Sequence, residues 1–204
     1  TGTLAGDGFR IDKLAFESRL GLVVTANLYR PARPPENMPG ILIVHSFFHG
    51  KHQGELQDMG VNWSRAGCLV LVPDLLGHGE RRQHPFVDRQ SFPEPFNVPR
   101  QDYFSRANTG LQLDLIGESL TGWMVWDLMC CVDVLLGRPD IDKNKIIMLG
   151  AVAGGADPAA VAAALDSRIA AVAPFNFGGP EPETPYPLPA DPERSEEHTS
   201  ELQS

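Results

Sequence analysis

The sequence predicts an α/β fold, a mostly parallel doubly wound sheet preceded by an antiparallel hairpin, and three observations carry that prediction. Four short apolar runs, Ile41–Val44, Cys68–Val72, Lys145–Leu149 and Ile169–Pro174, have the continuous pattern of strands buried on both faces. Segments of helical pattern lie between successive runs. The first thirty residues instead read as two strands joined by a short turn. Strands alternating with helices imply parallel pairing through right-handed crossovers, with helices on both faces of the sheet. Ligands in such sheets bind at the carboxyl ends of the strands. Here those ends are His45-Ser46, Asp74 to Gly79, Gly150 to Gly155 and Phe175 onward.

Each element has its own signal. Phe9–Glu17 and Leu22–Tyr29, rich in strand formers such as Val24, Thr25 and Tyr29, flank Ser18-Arg19-Leu20-Gly21 and predict the hairpin. Pro31-Ala-Arg-Pro-Pro35 cannot pair within a sheet and reads as a linker. Residues 54–66 are helical in pattern and stop at Gly67; Pro73-Asp74 closes the next strand. Gly77 to Asn108, with Pro85, Pro93, Pro95 and Pro99, predicts one long irregular loop. From Leu113 to Leu136 an i, i+4 series (Ile116, Leu120, Met124, Leu128, Val132, Leu136) predicts a single amphipathic helix, ended by Gly137 and Pro139. Gly150–Gly155 reads as a tight turn, followed by an alanine-rich helix over Pro158–Leu165.

Composition narrows the function. The 204 residues carry a net charge of -9, the opposite of what phosphate neutralisation requires, so no nucleic-acid partner is expected. No apolar run is long enough for a transmembrane helix, and no membrane partner is expected. Three cysteines, two of them adjacent (Cys130, Cys131), form neither a disulfide framework nor a zinc motif. Compartment is left open. The expected organisation is one domain over 1–193, incomplete at its C-terminal end, followed by a non-native tail. Arg194–Ser204 has no hydrophobic periodicity and resembles the translation of a sequencing-library adapter.

The segment with most chemical content is Leu149-Gly-Ala-Val-Ala-Gly-Gly-Ala156, between a strand and a helix. Gly150, Gly154 and Gly155 match the nucleophile elbow Gly-x-Ser-x-Gly-Gly, whose small residues permit a sharp strand-to-helix turn. With Lys13–Ser18, Thr25–Pro31, Ile41–His49, Pro73-Asp-Leu-Leu-Gly-His-Gly-Glu-Arg81 and Trp126-Asp127-Leu128, the chain resembles the α/β-hydrolase superfamily. It is most similar there to the acetyl xylan esterase-like and dienelactone hydrolase-like members. The resemblance spans residues 9 to about 180. It implies a carboxylic-ester hydrolase, with a small-molecule or carbohydrate ester as its substrate and no cofactor.

The elbow departs from the family pattern at the nucleophile position. That position holds Val152, which has no atom able to attack a carbonyl. A β-branched residue also disfavours the positive φ of an elbow, so the sequence predicts a relaxed turn with negative φ at Val152. The family's triad acid and histidine follow the nucleophile, and the only later histidine is His198, inside the adapter-like tail. The expectation is therefore a chain without serine-hydrolase activity. The alternative is a non-catalytic member that binds a ligand or carbohydrate ester. The resemblance places oxyanion donors on the backbone of Ala153 and of Ser46 or Phe47.

Outside the tail, the histidines fall between residues 45 and 84. His45, His49 and His78, with Asp74, are expected to line a polar pocket at the sheet's ligand edge. The His45, His49, His52 spacing lacks the helix that a metalloprotease-type site needs, so no metal is expected. Ser119 reads as a polar helix start, and Asp157-Pro158 as an N-cap followed by the first helical residue. Glu80-Arg81-Arg82 reads as either an anion contact or a solvated charge run. A dinucleotide site is disfavoured. The glycine-rich turn lacks the middle glycine of Gly-x-Gly-x-x-Gly and comes late in the chain.

Overall fold

The structure is a computed structural model, described here for residues 2–46, 50–82 and 98–175, with the side chains of 98–104 and 153 left aside. Seven strands form one mixed sheet in the order β1-β2-β3-β5-β4-β6-β7. They are β1 (Gly2–Gly6), β2 (Phe9–Arg19), β3 (Leu22–Pro31), β4 (Met38–Val44), β5 (Leu69–Pro73), β6 (Ile141–Ala151) and β7 (Ile169–Phe175). The helices are α1 (Gly54–Arg65), α2 (Val98–Leu115), α3 (Leu120–Leu136) and α4 (Val152–Leu165). The first three strands pair antiparallel, and β3 joins β5 antiparallel; from β5 through β4 and β6 to β7 every pairing is parallel. The α/β sheet and its antiparallel hairpin are therefore as expected, with β1 as an additional exposed edge strand.

Side-chain alternation splits the core into two layers. Val24, Ala26, Leu28, Leu42, Val44, Leu71, Ile146 and Met148 face α3 and α4, whereas Tyr29, Ile41, Ile43, Val70 and Val72 face α1. β4 and β5 are buried along almost their whole length, the consequence of helices on both sides.

Three expected boundaries are corrected. The stretch from Gly77 to Asn108 is not one irregular loop: a 3-10 turn covers Gly79–Arg81 and α2 starts at Val98, while residues 83–97 lie outside the described residues. The single helix over Leu113–Leu136 is two helices. Gly117 takes φ +77 and ends the first, and Ser119 caps the second by accepting a hydrogen bond from the Gly122 N–H at 3.0 Å. Ile116, expected on the buried stripe, sits in the break and is exposed. Finally, α4 begins at Val152 with Ala151 as N-cap, so Asp157 and Pro158 are inside the helix rather than at its start. Among the described residues no single helix is long and apolar enough to cross a membrane.

Candidate functional site

The turn from β6 into α4 is built by steric necessity. A Cβ on Gly150 would run into the Gly155 carbonyl and the Ala159 methyl, and one on Gly155 would lie 2.6 Å from the Val44 carbonyl oxygen and 2.7 Å from that of His45. These glycines let α4 fold back across β6 and press on the end of β4. Gly154, between them in space and sequence, is buried in the first turn. The parallel register pairs Val44 with Gly150. Ser46 and Val152 follow these two strand ends at the carboxyl edge of the sheet.

Val152 has φ +49. This overturns the expected relaxed turn: position 152 is in the left-handed region even though its residue is β-branched. Left-handed backbone costs an L-residue about 1–2 kcal/mol, and the close contacts at Gly150 and Gly155 leave the chain no other path. Ala151, the N-cap residue of α4, makes no side-chain cap hydrogen bond to the first-turn N–H groups. Those N–H groups, including that of Ala153, are the kind of donors that bind a carbonyl or oxyanion. Ser46 is half-buried beside them; Phe47 and His49 lie outside the described residues.

His45, Asp74 and His78 are all buried within the loops behind this edge. The Nε2 of His45 accepts from the Leu75 N–H at 3.0 Å, which leaves the proton on Nδ1, 2.6 Å from the Ser46 carbonyl it donates to. His45 thus ties the loop after β4 to the loop after β5. The His78 ring packs edge-on to it, with centroids 5.0 Å apart, and its Nδ1 lies 3.2 Å from the Leu76 carbonyl. Among the described residues no three metal-binding side chains converge.

Asp74 organises the β5 loop. Its carboxylate accepts from the Lys51 N–H (2.9 Å), the Thr25 hydroxyl (2.9 Å), the Glu80 N–H (3.2 Å) and the Lys51 ammonium. Burial alone would raise its pKa, but the Lys51 hydrogen bonds and charge, with the Glu80 N–H, outweigh that and hold it below the ordinary range. Gly79, at φ +53, has its Cβ position already filled by this carboxylate. The Glu80-Arg81-Arg82 run divides between two sites. Glu80 pairs with Lys51, whereas Arg81 is buried against Asp127 of α3 at 2.8 Å and donates to the Asp74 carbonyl at 3.0 Å. Sequence reading missed Lys51 and Asp127. A lysine in a loop and an aspartate in an apolar helix become recognisable only once their partners are close.

The acetyl xylan esterase (AXE1) family profile matches residues 6–177. The chain belongs to the acetyl xylan esterase family. Solved structures agree with it in fold. A Bacteroides fragilis protein assigned as an acetyl xylan esterase superposes with TM-score 0.69 at 18% identity, over 84% of this chain and 46% of that one. Acetyl xylan esterase 1 from Thermoanaerobacterium gives 0.61 at 18%, over 83% and 48%. A Klebsiella pneumoniae protein assigned as a dienelactone hydrolase gives 0.60 at 15%, over 91% and 67%. The chain thus spans about half the length of the two esterases. No curated protein sequence matches it.

Proposed function

We propose that this member of the acetyl xylan esterase family keeps the carbonyl-binding edge of an ester hydrolase but carries no nucleophile there, so that it binds a small or carbohydrate carboxylic ester without cleaving it. The observation that carries this reading is Val152 at φ +49 on the β6–α4 turn, an elbow position whose side chain is wholly hydrocarbon. An ester carbonyl would rest against the first-turn N–H groups of α4, with the backbone at Ser46 supplying the opposite donor. Such donors stabilise negative charge on a carbonyl oxygen, but without an attacking atom no tetrahedral intermediate forms and the ester is released unchanged.

Calorimetric titration with an acetylated xylo-oligosaccharide, with acetate measured in the same cell, tests both halves of the proposal. The expected result is saturable heat without acetate release above the protein-free rate. Release that a single named substitution abolishes would replace this reading with that of a working esterase, the reading that family membership and the preserved glycine packing favour.

A further inference from the structure

A second cleft lies on the α1 face of the sheet, lined by Lys13, Asn27, Lys51, His52, Gly79, Glu80 and Arg82, with a volume of about 410 Å³. Lys13 and Asn27 stand opposite each other in the β2–β3 ladder. In a chain of net charge -9, Lys13, Lys51 and Arg82 on one concave surface outnumber Glu80 and the Asp74 carboxylate beneath it, a local excess of positive charge. The size suits a small molecule of roughly monosaccharide to disaccharide dimensions.

The cleft floor shows what it would hold. Lys51, only 7% exposed, has three ammonium protons and three acceptors: the Thr25 hydroxyl at 3.3 Å, Asp74, and Glu80 Oε2 at 2.5 Å. Two of these acceptors are fixed. Asp74 is fully buried and held by further donors, and Thr25 is part of a strand. Glu80 differs, since its side chain is 69% exposed and can rotate into water while its backbone N–H stays on Asp74. Its carboxylate therefore occupies, from within the chain, the one position on a buried cation that an outside anion could take. Lys13, which makes no ion pair among the described residues, adds charge at the rim.

We propose that this cleft binds a hydroxylated small anion, a sugar carboxylate or sugar phosphate, whose anionic group replaces Glu80 on the Lys51 ammonium while Asn27 and Lys13 hold the rest. The replacement exchanges one ion pair for another and involves no covalent step. The site does not depend on the ester reading, because none of its residues is in the β6–α4 turn.

The test titrates the full chain with glucuronate, glucose 6-phosphate and neutral glucose, followed by protein NMR at low ionic strength. Both anions, or one of them, should shift amide signals at residues 13, 51 and 80, and glucose should not. The anion that binds tells a carboxylate site from a phosphate site. Because Glu80 competes with the ligand, Glu80→Gln should tighten anion binding about threefold or more, whereas Lys13→Glu should weaken it by a similar factor, and added salt should weaken it in every form. Both substitutions are at exposed positions, and a thermal melt confirms that each variant is folded. Equal binding of glucose, no shift with either anion, or an unchanged or weaker affinity in Glu80→Gln would each overturn the proposal.

Discussion

Val152 and Gly79 illustrate opposite solutions to the same backbone demand. At Gly79 the left-handed conformation is taken by the one residue that adopts it without strain, and the missing side chain leaves room for the Asp74 carboxylate. Gly79→Ala should therefore lose more than about 2 kcal/mol, combining left-handed strain with a clash against a carboxylate that cannot move. At Val152 the demand is met by a residue that resists it. Val152→Gly should change stability by less than about 1 kcal/mol, because the strain relieved is offset by glycine's greater unfolded-chain entropy and the half-buried methyls lost, and a chemical denaturation curve reads either change. The tight packing at Gly150 and Gly155 was legible in the sequence because their spacing reflects steric contacts inside one turn. The φ of Val152 was not legible, because local preference favours negative values and packing at Gly150 and Gly155 overrides it.

At the scale of elements, the Arg81–Asp127 pair fastens the loop after β5 to α3. Both side chains are 3% exposed, so removing one partner strands a buried charge. Arg81→Met or Asp127→Leu alone should cost about 3–5 kcal/mol, and the double variant should recover much of that loss. Failure of the double variant to improve on either single one would show that the pair is not coupled. Helix ends follow simpler rules. Ser119→Ala should cost about 1 kcal/mol through loss of the cap on α3, measured by thermal melting. The periodic pattern through Leu113–Leu136 concealed that boundary, because the Ile116 to Leu120 spacing continues across the break even though Ile116 faces solvent. Pro158 misled in the other direction: it suits a first helical position, yet here it is in the second turn of α4, where it forgoes the bond to the Gly154 carbonyl.

Over the whole molecule, hydrophobic period revealed which segments are strands and helices but not their lateral order. The insertion of β5 between β3 and β4 depends on pairings between residues far apart in sequence, such as Ala26 with Pro73 and Ile41 with Val70, which no local pattern encodes. The charge network behind the sheet edge also sets the response to acid. Asp74, held below its ordinary range against burial chiefly by Lys51, and Asp166, held down by Arg168, both have depressed native pKa values. Groups of this kind contribute their full stability above the unfolded carboxylate pKa of about 3.9 and lose it as pH falls through the native value. Stability should thus be flat near neutrality and decline below about pH 4, and Asp74→Asn should blunt that decline while lowering stability at pH 7.

We propose that the β6–α4 turn is an esterase-type elbow that holds no nucleophile. Incubating the chain with a fluorophosphonate, which phosphonylates activated serines, followed by intact mass and peptide mapping, tests it directly. The expected result is an unmodified mass and an unmodified peptide spanning Gly150–Gly155. A stoichiometric adduct on a single residue, whether Ser46 or any other, would contradict it.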